Sequence, residues 1–116
     1  MSFQQLAQRY VEAWNETDPQ ARATGVRALL ADHVRYVDPF LVADGHAAVD
    51  AAPAAVQARF PGWRFRLTGH HDQARFAWGL GPDGTDAPVA GFDVALVAAD
   101  GRLQTVLGFL DRVPQS

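Results

Sequence analysis

From residue 65 to residue 111 the chain is one apolar run after another. FRLTGHH (65–71), ARFAWGL (74–80), GFDVALVAA (91–99) and LQTVLGFLD (103–111) are separated by Asp-Gln, by GPDGTDAP and by Asp100-Gly101. Short apolar runs bounded by turn residues, with alternating and β-branched positions, predict strands. Asp-Gly between two of them is a hairpin signal. Strands joined by such short turns fold into an antiparallel meander, and a meander has to bury one face against other elements.

Those elements lie upstream. Phe3, Leu6, Ala7, Tyr10 and Trp14 recur at helical spacing, and Ser2 with Gln5 makes a capping box before them. The first helix is expected from about Ser2 to about Glu16. Asp18-Pro19 reads as an N-cap followed by proline at the first helical position. The second helix then carries Val26, Leu29 and Leu30 inward and stops near Ala31, slightly weakened by Gly25. VRYVDP (34–39) predicts a short strand closed by a proline turn, and LVADG (41–45) a second extended piece. Val49, Ala52, Val56 and Phe60 place a third helix between Gly45 and Phe60. Pro53 either kinks that helix or stands in the first turn of a regular part that begins near Asp50. PGW (61–63) breaks the chain. The sum is one α+β domain over residues 1–116, with helices on one face of a mainly antiparallel sheet.

Composition removes several chemistries. The chain has no cysteine and no lysine, so disulfides, thiolate catalysis and Schiff-base catalysis are excluded. The net charge is −3 and the arginines are scattered, which argues against nucleic acid as a partner. No apolar run is long enough for a helical membrane span, and MSFQQLAQRY has no signal-peptide core. A soluble, cytoplasmic protein is the expectation.

Asp93 is out of place. It interrupts the strand Phe92-Asp93-Val94-Ala95-Leu96-Val97, although Asp is depleted in strands and a buried carboxylate is costly. Alternation puts Asp93, Ala95 and Val97 on one face and Phe92, Val94 and Leu96 on the other. If Asp93 faces inward, three large apolar side chains face outward and need a cover, for which a second copy of the chain is a simple candidate. An inward Asp93 then either pairs with an arginine, such as Arg35 or Arg75, or sits in apolar surroundings that raise its pKa and keep it protonated.

The order of elements resembles the NTF2-like superfamily, which includes ketosteroid isomerases and SnoaL-like polyketide cyclases. QRYVEAWN in the first helix, VRYVDP, DG before the helix that ends in FPGW, HHDQARFAW, GFDVALV and DGRLQTVLGFLD carry the resemblance over nearly the whole chain. It implies a cone, in which a curved sheet wraps around helices and leaves an apolar pocket at the open end, and it implies a homodimer. It also implies site residues. In ketosteroid isomerases a helix-1 tyrosine, an aspartate before proline at the end of the first strand and a protonated strand aspartic acid handle a proton; the matching positions are Tyr10, Asp38 and Asp93. Asp38 would be the base, with Tyr10 and neutral Asp93 as donors to a developing enolate oxygen. No cofactor is implied, and the ligand would be a small apolar molecule. Trp14, Tyr36, Phe76, Trp78 and Val106 are the expected cavity walls, and the two tryptophans would narrow the cone toward substrates smaller than a steroid.

Each residue also has a structural reading. Tyr10 suits a packed core aromatic, and Asp38 before Pro39 suits a turn cap. The cone is equally suited to binding a hydrophobic ligand without chemistry. His70 and His71 point to opposite faces of a strand, so a shared metal is not expected; His71 with Asp72 and His46 at the start of the third helix read as surface positions. Asp111 is a second candidate acid. The epoxide hydrolases of this fold need an arginine two positions before a strand aspartate, where this chain has Gly91.

Overall fold

The computed structural model describes residues 1–71 and 74–114. Helix α1 spans Phe3–Asn15, α2 Pro19–Leu29 and α3 His46–Arg59. The strands are β1 (Leu30–Val37), β2 (Val42–Asp44), β3 (Arg64–His71), β4 (Arg75–Gly81), β5 (Val89–Val97) and β6 (Leu103–Arg112). One six-stranded sheet runs in the order β2-β1-β6-β5-β4-β3 and does not close. β3 to β6 form the expected antiparallel meander, while β1 lies parallel to β6. The helices pack their apolar residues into one core with the inner face of the sheet, which is the α+β architecture expected. Among the described residues no helix is long and apolar enough to cross a membrane.

Local signals set most boundaries. Ser2 and Gln5 exchange both capping-box hydrogen bonds, at 2.9 and 3.2 Å. Asp18 accepts from the Ala21 N–H at 2.8 Å and Pro19 opens α2. Two boundaries differ from expectation. β1 begins at Leu30, not Val34, because Leu30 pairs with Leu103 on β6, a contact distant in sequence. α3 begins at His46, so Pro53 lies inside the helix and not in its first turn. His46 is half-buried and its Nε2 lies 2.8 Å from the Leu30 carbonyl, so it ties the start of α3 to the head of β1 instead of standing in solvent. The Asp72-Gln73 turn falls outside the described residues, and His71 is exposed at the end of β3.

Polar side chains lock α1 in place. Asn15 donates to the Phe65 carbonyl at 2.8 Å and accepts from the Phe65 N–H at 2.7 Å, which fastens the end of α1 to β3. Gln57 on α3 donates to the Trp14 and Glu16 carbonyls, both at 2.9 Å, so the open end of α1 is satisfied. Buried Arg22 pairs with Asp50 at 3.0 Å and donates to the Glu16 carbonyl at 2.9 Å. These contacts fix the helix that carries Tyr10 and Trp14.

Candidate functional site

Between the helices and the sheet lies a cavity of about 620 Å³. Tyr10, Tyr36, Asp38 and Asp93 line it, together with Trp14 and Trp78. Helix α1, the end of β1 and strand β5 therefore bring three widely separated residues, Tyr10, Asp38 and Asp93, to one hollow. The volume lies within the range of sites for drug-sized ligands, so Trp14 and Trp78 form walls without closing the cone. Phe76 and Val106 are corrections: both are almost fully buried in the core and neither is among the lining residues. Phe76 packs behind the wall, with its ring 5.6 Å from that of Tyr10.

Asp93 points inward, as strand parity requires, and is 4% exposed. Among the described residues it has no arginine partner. Arg35 pairs with Asp44 at 2.8 Å, and Arg75 lies over the Phe92 ring on the opposite face, 4.2 Å from its centroid. The Trp78 indole N–H instead donates to Asp93 Oδ1 at 2.9 Å. Trp78 pairs with Gly91 across β4 and β5, two residues from Asp93 on the same face. A Cβ at Gly91 would collide with the Phe109 carbonyl oxygen and come within 2.8 Å of the indole, so the missing side chain admits both the neighbouring strand and the ring. Burial pushes the Asp93 pKa up to about 7; the Trp78 hydrogen bond opposes this and the nearby Asp38 charge adds to it.

Asp38 ends β1 and does two things at once. Its Oδ1 accepts from the Phe40 and Leu41 N–H groups at 2.8 and 3.0 Å, which is the turn-capping role. Its Oδ2 accepts from the Tyr36 hydroxyl at 2.6 Å. Gly108 pairs with Asp93 on β5 and lies close to both acids. A Cβ at Gly108 would lie 3.2 Å from Asp38 Cβ, 3.3 Å from Asp93 Oδ1 and 3.4 Å from the Tyr36 hydroxyl. Glycine thus keeps open the point on which these groups converge.

The Tyr10 hydroxyl is buried and finds no hydrogen-bond partner among the described residues. Burial and the Asp93 and Asp38 charges hold its pKa well above the ordinary phenol value; the neighbouring Trp14 indole offsets part of this without reaching hydrogen-bond geometry. Tyr36 is raised too, chiefly by burial, so both phenols are neutral donors. The hollow therefore offers an unused phenol O–H, a carboxyl that titrates near neutrality and a fixed carboxylate, set in apolar walls. A bound carbonyl oxygen can take hydrogen bonds there while a carboxyl exchanges a proton with an adjacent carbon.

Other candidates fall away from this point. Asp111 is exposed on β6 and is not among the lining residues. His46 is engaged at the head of β1, and among the described residues no three His, Asp or Glu side chains are grouped as metal ligands. Sequence reasoning missed Gly91 and Gly108 as space-makers, and it missed Arg59 at the end of α3, which also lines the cavity. A signal for Arg59 exists: it stands three residues after Val56, so the two are neighbours on the helix surface.

The SnoaL-like domain family matches residues 7–106. A candidate isomerase of the SnoaL-like family from Agrobacterium tumefaciens is 38% identical with a TM-score of 0.86, over 92% of this chain and 95% of that one. A candidate ketosteroid isomerase from Kribbella flavida superposes with a TM-score of 0.67 at 21% identity, over 96% of this chain and 78% of that one. A candidate SnoaL-like polyketide cyclase from Jannaschia gives 0.67 at 14% identity, over 93% and 86%. At those lower identities the likeness is one of fold. No curated protein matches the chain significantly. The family match over most of the sequence, with the close structural relative, makes this chain a member of the SnoaL-like domain family within the NTF2-like superfamily.

Proposed function

We propose that the cavity binds a small apolar carbonyl compound and transfers a proton on it, by isomerisation or by aldol-type cyclisation, without a cofactor. Asp38 is the base, working through the Oδ2 lone pair that Tyr36 leaves free. Tyr10 and protonated Asp93 polarise the carbonyl. The observation that carries this reading is the Tyr10 hydroxyl: a buried donor without an acceptor is costly, and a ligand oxygen would supply the acceptor. The isomerase and cyclase descriptions of the relatives support the same chemistry.

The test is Asp38→Asn. The amide oxygen can still accept from Phe40 and Leu41, so the turn persists while the base is lost. Wild type is expected to convert a β,γ-unsaturated ketone to its conjugated isomer and the variant only to bind it. Equal background conversion by both proteins rejects the reading for that substrate class.

A second reading, ligand binding without chemistry, is favoured by one observation. Asp38 is clamped by three donors, whereas a base that serves two carbons has to swing. Against it stands Asp93, which lacks the ion pair a purely structural carboxylate would have among the described residues.

For the assembly, a second copy covering the outer sheet face is part of the same proposal. Phe92 and Phe109 stack there with centroids 4.8 Å apart, and Leu96, further along the same face of β5, is 52% exposed.

A further inference from the structure

The cavity is polarised along its depth. Asp93 and the two phenols are buried, and Asp38, half-buried, joins them through the Tyr36 hydroxyl at 2.6 Å in the same cavity. Its outer rim is apolar and open to solvent, with Phe40 77% and Val113 51% exposed. Arg59 is the one basic side chain among the lining residues, and it too is exposed. No carboxylate pairs with it among the described residues; its recorded neighbour is the Phe60 ring, with the guanidinium carbon 5.5 Å from the centroid. A ring under the guanidinium uses the cation's face and leaves the N–H edge free for an in-plane acceptor. A cation in the last turn of α3 offsets the helix dipole, which accounts for a basic residue there but not for its place in a cavity wall.

We infer that the ligand is a carboxylate-bearing ketone, with its carboxylate on Arg59 at the mouth and its ketone oxygen against Tyr10 and Asp93. This rests on the carbonyl reading above and replaces its wholly apolar ligand with one that carries a charged end. The orientation follows from charge: the Asp38 carboxylate, beside the Tyr36 hydroxyl and close to Asp93, repels an anion there, whereas Arg59 attracts one. A single guanidinium fork fits one carboxylate in bidentate fashion. A phosphate dianion is the poorer match, because the backbone nearest Arg59 is a helix C-terminus, which repels a double negative charge more strongly than a single one.

The test uses two probes, 4-oxo-4-phenylbutanoate and its methyl ester, titrated calorimetrically at low salt into wild type and Arg59→Gln. Arg59 is exposed, so the variant is expected to fold. Wild type is expected to bind the acid about five-fold or more tightly than the ester, and the variant to bind the two alike. Equal affinities in wild type, or a variant that keeps the wild-type preference, overturns the inference while the bound ester upholds the carbonyl site. Binding of neither probe by wild type overturns both.

Discussion

Trp78 hands its indole N–H to Asp93 at 2.9 Å, in the space that Gly91 leaves empty. The donor is neutral. An arginine in its place would hold the carboxyl ionised, but an indole orients the acid without supplying a positive charge. Burial then outweighs the hydrogen bond, and Asp93 titrates at about 7. The answer to a carboxyl in mid-strand is thus a neutral partner on the adjoining strand and a glycine that admits it.

The raised Asp93 pKa makes stability depend on pH in a stated direction. In the unfolded chain this group titrates near 3.9; in the folded protein it titrates at about 7. The folded state therefore holds the proton more tightly between these values, so stability falls as pH rises from about 4 to about 7 and then levels off. The contribution is on the order of 4 kcal/mol. Urea unfolding of wild type and Asp93→Asn across that window is expected to show this downward trend in wild type only. Parallel curves would mean an ordinary carboxyl.

Tyr10→Phe is expected to separate stability from function. Removing an unpartnered buried hydroxyl relieves a cost of about 1–3 kcal/mol, so the variant should unfold at equal or higher denaturant. Losing one donor to a developing enolate oxygen should lower turnover about 10²–10³-fold. A variant less stable than wild type by more than 1 kcal/mol, measured by thermal and urea unfolding, would show that the hydroxyl has a partner in solution.

Gly108→Ala should close the site. The added methyl would crowd Asp38, Asp93 and the Tyr36 hydroxyl at 3.2–3.4 Å. A stability loss of about 1–3 kcal/mol is expected from overpacking. Ligand affinity, followed through the fluorescence of the cavity-lining tryptophans, should fall by more than the stability change explains. Unaltered affinity would mean that the ligand does not reach this point.

Leu96→Glu probes assembly alone, since Leu96 is on the outer face and does not line the cavity. Sedimentation is expected to give a dimer for wild type and a monomer for the variant. A monomeric wild type removes the proposed partner from the outer face.

Much of this protein is written in short-range signals. The capping box at Ser2 and Gln5, the Asp18-Pro19 start and the alternation around Asp93 are decided by atoms a few residues apart, so the elements and the inward turn of the acid were legible in the chain. The extension of β1 to Leu30 was not, because its cause is Leu103 on another strand. The site is a tertiary product for the same reason. Sheet register sets Gly91 opposite Trp78 and Gly108 opposite Asp93, and in this way creates the room in which acids and phenols meet. Helix packing leaves the Tyr10 hydroxyl without a partner among the described residues and places Arg59 in the cavity wall. The sequence determined which side chains face inward; only the packing of distant segments decided which of them share a hollow, because that depends on distances no local pattern encodes.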